Sequence, residues 1–192
     1  MKEYYPPAYN STYVKATSVV NTAHQAHMAT YPDTYFDGYR NCNALQASWD
    51  YNGWQAASTT TNQRFHIDLG SAYVINILKF INLYSGTTNY STSGWRNFIV
   101  QGSNNSTAFS NLTYDTDTNW TQLTGQSRSQ LDQSVYGTPA FSYIGFYNTT
   151  AYRYYAIKLA DTYGGAYPHA GVRRFRLCYS PFRSGFNQFF DI

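Results

Sequence analysis

Residues 64–70 read RFHIDLG and residues 75–84 read INILKFINLY; the alternation in the first stretch decides the fold. Phe65, Ile67 and Leu69 fall on one face of an extended chain, and Arg64, His66 and Asp68 on the other. That pattern predicts a half-buried strand. Gly70 is expected to end it, where the backbone must turn. Asp68, near the strand end, is of the type that hydrogen-bonds the backbone just ahead of it.

Working outward, the same kind of segment recurs: WRNFIVQGS at 95–103, NWTQLTG at 119–125, SYIGFYN at 142–148, RYYAIKLAD at 153–161 and GVRRFRLCYS at 171–180. Each is short, rich in β-branched or aromatic residues, and bounded by Gly, Asn, Ser or Asp. Nothing alternates strand with long helix, so a sandwich or barrel is expected rather than a parallel α/β fold. VKATSVVNTAHQAHMA (14–29) fits either a strand and turn or one or two helical turns.

Composition agrees. Of 192 residues only 12% are charged and 19% are aromatic, with Glu3 the sole glutamate; helices favour Glu, Lys, Ala and Leu, whereas strands favour Thr, Tyr, Val, Ile and Phe. A net charge of +3 with scattered Arg and Lys lacks the dense basic stripe of a nucleic-acid binder. No apolar run approaches the ~20 residues that span a bilayer. The start, MKEYYPPAYN, has no hydrophobic segment of a signal peptide, which fits a mature start or release by a route such as virus lysis. Cys42 and Cys178 are too few for a disulfide scaffold or a metal cluster, and could pair if the fold brings them together.

Three parts are expected: an extended arm at 1–13, favoured by Pro6-Pro7, a domain at 14–180, and a tail at 181–192. The tail FRSGFNQFFDI (182–192) carries four Phe, which either pack on the domain itself or dock on a neighbouring subunit.

The ordered series FDG (36–38), ASWDYNGW (47–54), RFHIDLG, INILKFINLY, FIVQGSNNS, NWTQLTG, RYYAIKL and GVRRFRLCY resembles the discoidin, or coagulation-factor type C, domain of the galactose-binding-like superfamily. The resemblance covers about residues 14–180. It implies an all-β fold, an eight-stranded antiparallel jelly-roll sandwich, here with N- and C-terminal tails. Relatives bind glycans or lipid head groups through loops at one end of the sandwich. Aromatic loops suit sugars, whose C–H faces pack on rings while the hydroxyls need planar donors and acceptors. Candidate ligand contacts are Tyr39, Arg40 and Trp54 in one loop, Tyr90, Trp95 and Arg96 in a second, and Tyr163, Tyr167 and His169 in a third.

Glycan-binding members often hold a structural calcium near an Asp-Gly turn with a last-strand carboxylate. Asp37-Gly38 matches the turn, making Asp37 the candidate metal ligand. The last-strand position is Arg174, whose guanidinium cannot ligate calcium and could pair with Asp37 instead. The expectation is therefore no cofactor, with calcium disfavoured. No paired carboxylates, GxSxG, HExxH or phosphate-cradling loop points to catalysis. The chain reads as a non-enzymatic glycan-binding and adhesion module on an extracellular or virion assembly. The alternative is a structural or decoration subunit whose tails join protein partners.

Overall fold

The computed structural model describes residues 1–32, 53–57, 59–83, 91–133, 140–164 and 169–181. They form a β-sandwich of two antiparallel sheets. The first contains β1 (Lys2–Tyr4), β3 (Trp54–Gln55), β5 (Ile77–Asn82), β8 (Ser142–Gly145) and β10 (Gly171–Tyr179). It runs β1-β10-β5-β8, with β3 paired to the start of β10. The second is ordered β2 (Val14–Ala16), β4 (Gln63–Tyr73), β9 (Tyr152–Leu159), β6 (Phe98–Ser103) and β7 (Thr121–Gln122). The only α-helix among the described residues is α1 (Ser106–Ser110), whose first amides, Thr107 and Ala108, donate to the Asn105 side chain, a standard N-cap. The ambiguous 14–29 segment is both things: β2, then a turn, then a 3-10 helix at Ala26–Thr30.

The alternation in RFHIDLG does set the layers. Phe65, Ile67 and Leu69 are buried between the sheets, and Phe65 meets Phe175 of β10 edge-on at 5.2 Å. Burying such side chains contributes about 1.5–3 kcal/mol each. Gly70 does not end the strand. β4 continues to Tyr73 through a register irregularity between Asp68 and Tyr73, and Gly70 sits inside it at φ +75°, a conformation that glycine takes without strain. Asp68 accepts from the Gly70 amide at 2.7 Å, as expected, and its carboxylate also takes Arg153 Nε at 2.8 Å and Nη2 at 2.9 Å.

The outer faces are covered too. Residues 104–120 lie over the second sheet: the Phe109 carbonyl accepts from His66 Nδ1 at 2.9 Å. Asp117 meets Arg64 at 2.5 Å and Lys158 at 2.9 Å. Partial burial raises the Asp117 pKa, yet hydrogen bonds from Gln101, Lys158 and Arg64 outweigh this and hold it well below the usual carboxylate range. The first sheet is covered by residues 26–31, and Arg174 and Arg176 of β10 are buried beneath them. The N-terminal segment read as an arm puts Lys2–Tyr4 into the first sheet, where Glu3 pairs with Lys79 at 2.6 Å and Arg176 at 3.4 Å. Cys178 is a buried free thiol.

Candidate ligand-binding end of the sandwich

At one end of the sandwich β4 begins, β9 ends and β6 begins, with Leu159 paired to both Gln63 and Phe98. At the same end β5 finishes and β10 starts, with Asn82 paired to Val172. The described residues flanking positions 84–90 and 165–168 therefore converge there. Short bridges join Gly94 to Gly171 and Trp95 to Thr162.

Asn82 organises this end. Its amide donates to the Trp95 carbonyl at 2.6 Å and the Asp132 carbonyl at 3.0 Å, and its oxygen accepts from the Trp95 amide at 2.9 Å. A Cβ on Gly94 would lie 2.7 Å from the Asn82 side chain, so this approach requires glycine. The expectation that Trp54 and Trp95 face a ligand is corrected here. Both are 0% exposed, their rings stacked 5.9 Å apart with 12° between planes, and Trp54 Nε1 donates to the Ser18 carbonyl at 2.8 Å. They are the floor of the loop end.

In an extended segment neighbours point opposite ways, so Trp95 inward puts Arg96 outward, its side chain 38% exposed. Arg96 and Asp161 form a forked pair, Nη2–Oδ2 2.9 Å and Nε–Oδ1 3.4 Å. Asn97 donates to the same carboxylate from its backbone at 3.1 Å and its amide at 2.8 Å. Those contacts, the Arg96 hydrogen bond first, hold Asp161 below the usual carboxylate range despite some burial, and the same bond raises Arg96. The Arg96 guanidinium lies 6.0 Å from the Tyr163 ring centre, and the Tyr163 hydroxyl donates to the Leu131 carbonyl. His169 Nδ1 lies 3.2 Å from the Ala56 carbonyl.

The fold thus brings Arg96 and Tyr163 together, with His169 on an adjoining segment. Tyr39, Arg40, Tyr90, Tyr167 and Asp37 lie outside the described residues. Asn82 and Asn97 were not anticipated: their roles depend on partners 13 to 64 positions away, which no local pattern signals. At the opposite end of β6, Thr107, Ala108, Asn111, Thr116, Thr118, Asn119 and Trp120 line an open pocket of about 240 Å³. Among the described residues no helix is long and apolar enough to cross a membrane.

This architecture has counterparts of known structure. A Clostridium perfringens family 32 carbohydrate-binding module, solved with GalNAc-β-1,3-galactose, superposes with a TM-score of 0.55 over 86% of this chain and 94% of that one, at 14% identity. The family 32 module of AlyQ, solved with 4,5-unsaturated mannuronic acid, gives 0.55 over 94% and 100%, at 17% identity. The fold is discoidin-like. A structure from the Streptococcus pneumoniae beta-galactosidase BgaA gives 0.61 over 93% of this chain and 99% of that one, at 12% identity. No family model and no curated protein matches the sequence. The discoidin-like sandwich anticipated from HIDLG and YYAIKL is therefore present, with ten strands among the described residues where eight were expected. β1, β2, β3 and β7 are pieces of two or three residues.

Proposed function

We propose that the chain is a non-catalytic carbohydrate-binding module whose ligand sits at the loop end, against Arg96, Tyr163 and His169. Tyr39, Arg40, Tyr90 and Tyr167 supply the further contacts. The observation that carries this reading is the half-exposed Arg96–Asp161 fork, locked by Asn97 beside the Tyr163 ring. It offers planar donors and acceptors in fixed positions next to an aromatic face, the combination that sugar hydroxyls and C–H faces require. The fold likeness to family 32 modules adds support. The module acts outside the cell as an adhesion element of a larger assembly such as a virion surface, joined to other subunits through its aromatic tail.

A glycan array with the purified full chain tests the site. Arg96→Ala is expected to lose binding at least about tenfold, as for a central polar contact, while its melting temperature stays with the wild type. A blank array from well-folded protein, or an Arg96→Ala variant that binds as well as wild type, overturns the proposal. A blank array also moves the balance to a structural subunit.

A further inference from the structure

The pocket at the far end of β6 plays no part in the loop-end site. It lies over the second sheet, between α1 and the 116–120 turn, and measures about 240 Å³. Ser103, the last residue of β6, holds the turn there: its hydroxyl donates to the Asn119 carbonyl at 2.6 Å. Phe98, the first residue of the strand, stands at the loop end, so the two places are about 17 Å apart along β6.

Both walls are held in place. The Trp120 amide donates to the Asp117 carbonyl at 3.0 Å. The Trp120 ring centre lies 4.9 Å from that of His66 and 5.7 Å from the Arg64 guanidinium. His66 and Arg64 are 0% exposed, so they brace the ring from the sheet side. Across the pocket, Asn111 Oδ1 accepts from the Thr113 amide at 2.9 Å, which fixes its side-chain plane, and the Asn111 backbone amide donates to the Thr107 carbonyl at 3.1 Å. A site already in shape loses less entropy when it binds.

The lining selects the chemistry of the ligand. Of its seven residues five are threonine or asparagine, and the others are Ala108 and Trp120. None is charged, so nothing there matches a phosphate, a carboxylate or an ammonium group. Asp117, the carboxylate next to Thr116 and Thr118, is engaged with Arg64 and Lys158 instead. Hydroxyls and amides both donate and accept, as sugar hydroxyls do, and an indole suits the C–H face of a ring. Size agrees: the pocket exceeds the ~150 Å³ that accommodates a benzene and falls short of the ~300 Å³ at which sites for drug-sized ligands begin. It has room for one substituted six-membered ring.

We propose that this pocket is a carbohydrate subsite separate from the loop end, taking one neutral pyranose unit against Trp120 with hydroxyl contacts from Thr107, Asn111 and Thr118. It does not rest on the loop-end reading, and either site can fail without the other. A glycan long enough to engage both is held more tightly than a single sugar.

The test is an NMR titration of backbone amides and indole N–H groups in the full chain. The probes are galactose, glucose, mannose and N-acetylglucosamine, with glycerol as the acyclic control. At least one sugar is expected to shift the Trp120 indole and the Thr107 and Thr118 amides saturably, and glycerol to shift none of them. Thr118→Tyr, which fills the pocket from an exposed position, is expected to weaken that binding at least about tenfold at an unchanged melting temperature. No saturable shift at these residues, the same shifts with glycerol, or a Thr118→Tyr protein that binds like wild type overturns the proposal. Shifts confined to Arg96 and Tyr163 overturn it as well and leave the loop-end site standing. Shifts confined to Trp120 and its neighbours support it and count against the loop end. Should Thr118→Tyr fail to fold, the wild-type titration decides.

Discussion

Trp54 and Trp95 stack almost parallel, 5.9 Å apart and fully out of solvent, tying the short strand that pairs with β10 to the chain that enters β6. Arg96, the next residue, faces outward because Trp95 faces inward. Trp95→Ala should therefore act through stability, at a cost of about 3–5 kcal/mol. Urea unfolding followed by tyrosine fluorescence or circular dichroism measures that cost. Glycan affinity of the fraction still folded is expected to fall far less than in Arg96→Ala. A Trp95→Ala protein with wild-type stability would contradict the packing.

His66 lies beneath residues 104–120, and burial is the main cause that pushes its pKa from 6.5 down to about 4, against the Phe109 hydrogen bond, which raises it. The unfolded chain takes up the proton below pH 6.5, whereas the folded protein waits until about pH 4. Stability from this group is therefore complete above 6.5, falls as pH drops from 6.5 to 4, and levels off below. The span corresponds to a loss on the order of 3 kcal/mol. Denaturation midpoints across that window should fall for wild type and flatten for His66→Phe. An unchanged slope in the variant would assign the acid sensitivity to other groups.

Gly53 joins the sequence before it to β3, and a Cβ there would lie 2.5 Å from the Val172 carbonyl oxygen and 2.8 Å from the Arg173 Cα. Both atoms are backbone and cannot swing aside. Gly53→Ala is expected to push β3 off β10 and destabilise by about 1–3 kcal/mol, read as a lower urea midpoint and faster amide exchange at Trp54 and Gln55. Normal exchange at those amides would show that the approach is looser than described.

Cys178 is a free thiol whose pKa burial pushes up to about 12, so little thiolate is available for reaction. Alkylation followed by site-resolved mass spectrometry should label Cys178 only in denaturant. The melting temperature should be the same with and without a reducing agent, because this cysteine carries no disulfide. Rapid native labelling of Cys178 would argue against its place on β10.

The long strands were legible because their apolar faces are written at a period of two, as in Phe65, Ile67 and Leu69. The turn at Gly70 was not, since a glycine that ends a strand and one that bends it through a bulge look alike locally. Strands as short as Thr121–Gln122 exist only through a partner in the middle of the sheet. Arg64 and Arg174 fall where an alternating strand faces water, yet both are buried, because distant segments cover the outer faces. The loop end divides in the same way. Its aromatic and polar chemistry could be read from the sequence, but depth could not, so Trp95 and Arg96 were grouped together although one is floor and the other surface.

Pairing of β1 with β10 places Lys2 opposite Tyr179, at the pole of the sandwich away from Arg96 and Asp161. A tether attached just before Lys2 and one attached just after Tyr179 would emerge side by side from that pole. Whichever is used as the stalk, the Arg96 surface points away from the attachment, as a probe does at the tip of its lead. Attachment just before Lys2 or just after Tyr179 should thus leave the Arg96 surface unobstructed.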